Sequence, residues 1–304
     1  MNIGLIGLGV MGHNHYRLLR SLPEANLVAV CDVNGHNDFS ERVYPDCESM
    51  LDSEQLDGVV VAVPTSKHHE VASKTISQGI PTLIEKPIAA TVEEADKLIA
   101  LRDEYETLAA VGHVERFNPV VRSLIRELDG KEVYSINVTR IGPFPPRIND
   151  VGVLVDLSVH DIDLVHRLTE GIPIEESRIY KSNKRVGTRE DNAVITLRFS
   201  NDVVANITTN WLTPFKKRTI EVATDTAFYY ADLMTQELIE YSAYTKNNSY
   251  LVRKCSVKKG EPLLGELEAF LHFAATGDPD GLASLEDGRL TLETIYKQRH
   301  PVTV

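Results

Sequence analysis

The sequence predicts an α/β protein of two domains: a doubly wound parallel sheet over residues 1–118, then an α+β domain with a mostly antiparallel open sheet over residues 119–304. Three observations predict it. Short apolar strands alternate with helical segments through the first third of the chain. A glycine-rich turn follows the first of these strands. After about Asn118 the pattern changes to longer strands of alternating polarity, joined by Asn, Asp and Gly turns.

In chain order, Ile3–Leu8 is a compact apolar strand, and His13–Ser21 is a helix with Tyr16, Leu18 and Leu19 on its inner side. Ala25–Cys31 is the second strand. Val59–Val63 is apolar throughout, as suits a strand covered on both faces. His68–Gln78 reads as a helix that stops at Gly79, and Thr82–Ile84 as the next strand. Thr91 and Glu94 form a capping box for a helix over Val92–Tyr105, and Leu108–Val111 is one more strand. Past the change of pattern, Pro119–Leu128 is helical. Glu132–Ile141, Asn192–Phe199, Val203–Trp211, Thr219–Ala223 and Glu237–Tyr244 are strands, and Leu154–Thr169, Pro262–Thr276 and Ser284–Lys297 are helices. Gly142-Pro143-Phe144-Pro145-Pro146 is a stiff connector, because proline fixes φ and offers no N–H. The outer apolar face of an open sheet needs cover. Val204, Ile207, Ile220, Val222 and Ile239 are therefore expected to meet helices or a second copy of the chain, in a homodimer or homotetramer.

The chain has 304 residues, 42% of them hydrophobic, and can bury a core without disulfide or metal staples. Its 32 basic and 44 acidic residues leave a net charge of −12, which argues against non-specific nucleic-acid binding. Cys31, Cys47 and Cys255 are odd in number, far apart and in no CxxC pair. That fits neither a disulfide framework nor a zinc site, and a reducing cytoplasm is expected. A strand that begins at once leaves no room for a signal peptide, and no apolar run is long enough to span a bilayer, so no membrane partner is expected.

Gly7-Leu8-Gly9-Val10-Met11-Gly12 has the GxGxxG spacing, and it follows a strand and opens a helix. Gly7 permits the tight turn, Gly9 lets backbone approach a pyrophosphate, and Gly12 allows close helix–strand packing. The helix N-terminus offers unpaired N–H groups and a positive dipole end. Asp32 closes the second strand 20 residues after Gly12, where a carboxylate hydrogen-bonds an adenosine ribose diol. These features define a Rossmann nucleotide site. The carboxylate repels a 2′-phosphate, and no arginine stands among Val33-Asn34-Gly35-His36-Asn37, so NAD is expected over NADP.

Three further segments can carry chemistry. Glu85-Lys86-Pro87 follows the strand Thr82–Ile84, and active sites in such sheets lie at the carboxyl ends of the strands. A lysine there can hydrogen-bond a substrate hydroxyl and stabilise its oxyanion, although a surface Glu–Lys pair before proline reads the same. Asp156 and His160 stand at i and i+4, about 40° apart on a helix, with Asp163 on the same stripe. A carboxylate beside an imidazole orients it and raises its basicity, as proton abstraction from an alcohol requires. A solvated acidic face, or a divalent ion held by Asp and His, fits that spacing too, but no further ligand cluster accompanies it and no metal is expected. Val63-Pro64-Thr65-Ser66-Lys67-His68-His69 follows a buried strand, so its backbone is expected to face the cofactor. His68 and His69 open a helix whose N-terminus disfavours a protonated imidazole, and neither is assigned as the base.

Taken together the segments resemble the glucose–fructose oxidoreductase, inositol dehydrogenase and rhizopine-catabolism (Gfo/Idh/MocA) family over nearly the whole chain. The resemblance rests on the glycine loop with Asp32, Pro64 with His68, and Glu85-Lys86-Pro87. It also rests on Gly112-His113-Val114-Glu115-Arg116-Phe117-Asn118-Pro119, Asp156-x-x-x-His160-x-x-Asp163, and Ser284-Leu285-Glu286-Asp287-Gly288. It implies a dehydrogenase with Lys86, Asp156 and His160 as catalytic set. It also implies a cofactor site of Gly7, Gly9, Val10, Met11, Gly12, Asp32, Pro64, Thr65, His68, Glu85 and Lys86. The family often has Thr before the proline, where this chain has Val63.

Arg140–Arg147 and Glu261–Glu268 are similar to family members that oxidise nucleotide sugars, in particular UDP-N-acetylglucosamine at its 3-hydroxyl. Arg116, Arg140 and Arg147 would then form a basic pocket for a diphosphate, with Arg116, Arg147 and Asp163 touching substrate. Ordinary ion pairs are the other reading of these arginines. Another sugar or a cyclitol is the nearest competing substrate. The resemblance also covers non-catalytic sensors that bind the dinucleotide, which would have no need of Lys86, Asp156 and His160 together.

Overall fold

The computed structural model describes residues 1–35, 39–145, 151–185, 189–242 and 249–297. The chain forms two compact units. The first joins Met1–Val114 with Pro262–Leu292, and the second joins Glu115–Glu261 with the residues after Leu292.

The first unit runs β1 (Asn2–Ile6), α1 (Val10–Leu19), β2 (Asn26–Cys31), β3 (Arg42–Tyr44), α2 (Cys47–Ser53), β4 (Gly58–Val61), α3 (His68–Ser77), β5 (Thr82–Glu85), α4 (Val92–Tyr105) and β6 (Ala109–Gly112). The strands pair in parallel in the order β3-β2-β1-β4-β5-β6, so the sheet is doubly wound and turns back between β1 and β4. β1, β4, β5 and β6 are buried almost throughout, which is why they read as unbroken apolar runs. One face of the sheet packs Met50, Val59, Val61 and Cys31 toward β2 and, on the same face toward β6, Ile84, Leu98, Val111 and Leu285. The Thr91 cap forms: its side chain accepts the Glu94 N–H, and Glu94 reaches back to the Ala90 N–H.

The second unit runs α5 (Pro119–Leu128), β7 (Val133–Pro143), a π turn (Leu154–Ser158), α6 (Val159–Leu168), β8 (Ile174–Ser182), β9 (Asn192–Phe199), β10 (Val204–Asn210), β11 (Leu212–Thr224), β12 (Ala227–Asp232), β13 (Glu237–Ser242) and β14 (Val252–Cys255). Its sheet has the order β14-β13-β12-β11-β7-β10-β9-β8, antiparallel except for the β10–β7 pair. α5 packs on β12 and β13 and α6 on β7 and β10, and Trp211, Tyr229 and Phe199 are fully buried in this unit.

The two closing helices, α7 (Pro262–Thr276) and α8 (Leu285–Tyr296), depart from the expected division at residue 118. Residues 262–292 belong to the first unit. Phe270 of α7 lies where a side chain on Gly58 would have to go, and Leu285 and Leu292 of α8 fill the cluster around Ile84 and Val111. Apolar faces of that size need a partner, and the parallel sheet supplies one.

Ile207, Ile220 and Val222 are fully buried on the sheet face that α5 and α6 cover, so helices meet them as one expectation had it, and Val204 lies on the opposite face with Val194 and Phe228. One further expectation is corrected. The helix expected over Leu154–Thr169 opens with the π turn, so one uniform α-helical spacing does not run from Asp156 to His160. Val159 and Ile162 are buried as expected, while Val155 is only half-buried.

Candidate active site

The glycine run forms the turn between β1 and α1. Gly7 has φ +96°, and a side chain there would strike the Ala62 carbonyl oxygen at 2.5 Å. A side chain on Gly12 would lie 2.0 Å from the Gly7 carbonyl oxygen, whereas one on Gly9 would meet nothing within 4 Å. Packing therefore fixes Gly7 and Gly12, and Gly9 leaves open space at the helix N-terminus. No side chain caps that terminus, no acidic residue sits in its first turn, and Val10 is exposed while Met11 is half-buried. Asp32 stands alongside. Its Oδ2 accepts the Leu8 N–H at 2.8 Å and its Oδ1 the Asn34 N–H at 2.9 Å. A bare helix N-terminus with a cradle above it and a fixed carboxylate beside it fits a dinucleotide pyrophosphate and ribose.

Glu85 closes β5 and carries the lysine turn. Its Oε1 accepts from Nε2 of His15 at 2.7 Å, and its Oε2 accepts the Lys86 N–H at 3.1 Å. Burial pushes the Glu85 carboxyl up, but the His15 hydrogen bond and charge outweigh it and hold the group below the usual range. Glu266 of α7 is buried beside this pair, with polar atoms of all three side chains within 4.8 Å of one another. Lys86 itself is half-buried.

Pro64 is exposed and leads into a short 3₁₀ turn over Thr65–Lys67, with Thr65 half-buried. His68 follows, almost wholly buried. Its Nδ1 lies 2.7 Å from the Pro87 carbonyl oxygen and its Nε2 2.9 Å from that of Val63.

In the second unit, Asp156 lies in the π turn and His160 in the first turn of α6, both half-buried. Arg116 and Asp163 meet each other: Nε and Nη2 of the arginine donate to Oδ2 and Oδ1 at 2.8 and 2.6 Å, both side chains buried. Arg140 is buried too, donating to Asp161 at 2.7 Å and to Glu115 at 2.8 Å. Burial works against the Arg140 charge, but the two carboxylates outweigh it and hold the guanidinium above its ordinary range. Arg218 donates to Glu115 at 3.1 Å. Arg116 and Arg140 thus stand in the ion pairs that were the other reading of these arginines, donating to carboxylates of their own unit. Arg147 lies outside the described residues.

The sequence reading passed over His15, Glu266, Glu115 and Asp161. His15 carried a signal: it shares the inner stripe of α1 with Gly12, Leu18 and Leu19, where a polar side chain needs a partner.

Fold and site define an NAD-binding oxidoreductase. The model of the oxidoreductase family with NAD-binding Rossmann fold matches residues 1–113, and the GFO/IDH/MocA C-terminal domain model matches residues 121–229. The chain belongs to the Gfo/Idh/MocA family and is an NAD-dependent dehydrogenase. It is 29% identical over 296 residues to a UDP-N-acetylglucosamine 3-dehydrogenase of Acidithiobacillus ferrooxidans, covering 93% of this chain and 92% of that one. Inositol 2-dehydrogenase 2 of Saccharopolyspora erythraea is 34% identical over 181 residues, covering 55% of this chain and 53% of that one. Among solved structures, the A. ferrooxidans UDP-N-acetylglucosamine 3-dehydrogenase superposes with a TM-score of 0.89 at 27% identity, covering 98% and 96% of the two chains. Among the described residues no helix is long and apolar enough to cross a membrane.

Proposed function

We propose that the chain oxidises a secondary hydroxyl of a nucleotide sugar to a ketone, with the 3-hydroxyl of UDP-N-acetylglucosamine as its target. One observation carries this reading: the similarity to the A. ferrooxidans dehydrogenase runs through both units, whereas the inositol dehydrogenase of higher identity aligns with about half of the chain. A different sugar or a cyclitol is the competing substrate.

The roles follow from side-chain chemistry. His160, with Asp156 as its carboxylate partner, takes the hydroxyl proton of the substrate. Lys86 donates to the same oxygen and stabilises its negative charge as the proton leaves. Gly7, Gly9, Val10, Met11 and Gly12 hold the pyrophosphate on backbone N–H groups, Asp32 holds the adenosine ribose, and Pro64, Thr65 and His68 line the nicotinamide end. Bound NAD supplies the hydride acceptor. The reading also includes a reducing cytoplasm, supported by three free and buried cysteines. A homodimer or homotetramer forms through the sheet face that bears Val194, Val204 and Phe228.

A panel of UDP-sugars, free sugars and inositols assayed for NAD reduction tests the substrate, and silence toward every UDP-sugar overturns it. Lys86→Ala is expected to lower turnover by several orders of magnitude with NAD binding kept; near-normal turnover removes Lys86 from the chemistry. Sedimentation as a monomer rejects the oligomer.

A further inference from the structure

His68 faces two carbonyl oxygens, one from each loop at the carboxyl ends of β4 and β5. Nδ1 reaches Pro87, the residue after Lys86, at 2.7 Å, and Nε2 reaches Val63 at 2.9 Å. A neutral imidazole has a single N–H, so it can serve only one of these oxygens and must turn a lone pair toward the other. Both contacts are hydrogen bonds only when the ring carries two protons. The carbonyl of Pro87 belongs to the lysine turn, whose other side is held by Glu85 accepting the Lys86 N–H. The Lys86 backbone is thus gripped from before and after, and the second grip depends on a proton.

We propose that His68 is a proton-linked positioning residue for Lys86: the doubly protonated ring ties the lysine turn to the Val63 loop, and the neutral ring releases one of the two. The reading rests on Lys86 acting in the proposed dehydrogenation, but the proton linkage is a property of the protein alone. Charged groups around His68 act in both directions. Glu85 favours the imidazolium and Lys86 opposes it. Burial opposes it most and pushes His68 below the ordinary histidine range, so the full clamp forms as pH falls below that range. The ring needs no contact with substrate for this role. It sets where the Lys86 amine stands by setting where the Pro87 peptide stands.

The test uses the whole protein with histidine, lysine and isoleucine labelled with 15N, titrated without substrate. The His68 ring signals are identified by their loss in His68→Gln. The expected result is two protonated ring nitrogens at the acid end and one at the alkaline end, with a midpoint below the ordinary histidine range. The amide signals of Lys86 and Ile88 shift with that same midpoint, and in His68→Gln they stay still. His68→Gln is also expected to lower kcat by about 10- to 100-fold, as a displaced catalytic group does. A ring that never gains its second proton, or amides that ignore its titration, overturns the linkage whatever the substrate proves to be. A normal kcat in a folded His68→Gln protein overturns the positioning role. His68→Asn, whose side chain also keeps an N–H donor and carries no titrating proton, repeats the kinetic test if the glutamine variant fails to fold.

Discussion

Arg116 forks onto Asp163 within the second unit, its Nε and Nη2 donating to the carboxylate at 2.8 and 2.6 Å. A lysine at 116 keeps the charge but loses the planar fork. Arg116→Lys is expected to cost about 1–3 kcal/mol of stability, read from urea unfolding. It should leave KM for a UDP-sugar nearly unchanged. A large rise in that KM with stability intact would return Arg116 to the substrate pocket.

Glu85 and His15 form a buried pair, and Glu85→Gln leaves the histidine without its carboxylate. A loss of about 3 kcal/mol is expected. The folded Glu85 pKa lies below its unfolded value, so its contribution is complete above about pH 4.5 and is lost as pH falls through the folded value. Urea midpoints from about pH 5 downward should therefore drop more steeply for the wild type than for the glutamine variant. Parallel curves would show that the pair does not titrate in this way.

Asp161 has the opposite sign. Burial pushes its carboxyl up to about 6 against the pull of Arg140. Folded molecules then bind a proton that unfolded ones release, so this contribution is complete below the unfolded value near 3.8 and is lost as pH rises through about 6. Carbon-13 NMR of the aspartate carboxyls should show one group titrating near 6 that disappears in Asp161→Asn. Absence of such a group would mean the Arg140 bond keeps Asp161 ionised throughout.

Asp32 is pinned by the Leu8 and Asn34 N–H groups, so it cannot swing aside to admit a 2′-phosphate. Asp32→Ala should raise KM for NAD by about tenfold or more and narrow the preference over NADP. Equal use of both cofactors by the wild type would remove Asp32 as the discriminator.

The parallel sheet was legible in β1, β4, β5 and β6 because each obeys a local rule: buried on both faces, hence largely apolar, and followed by a turn. β3, α2, β8, β12 and β14 were not anticipated. β8 reads Ile-Glu-Glu-Ser-Arg-Ile-Tyr-Lys-Ser, an edge strand whose charges hide its alternation. α2 is seven residues long, too short for a helical period to declare itself, although Asp46 caps it through the Ser49 N–H. In the site, the glycines, Asp32 and the lysine turn could be named because their roles depend on near neighbours in sequence. Partnerships such as His15 with Glu85, 70 residues apart, depend on the finished sheet and leave no spacing to read. The same holds for Arg116 with Asp163, 47 residues apart.

The return of α7 and α8 to the first unit has a consequence for synthesis. When the first 114 residues have left the ribosome, Ile84 and Val111 still lack Leu285 and Leu292, and Gly58 still lacks the ring of Phe270. The nucleotide-binding half starts first and is completed only after residues 115–261 of the second unit have been translated. A nascent chain halted before residue 262 would expose the apolar parts of both sheet faces that those helices cover, surfaces of the kind that recruit chaperones. Early truncation should therefore yield a sticky fragment rather than a small working NAD-binding module.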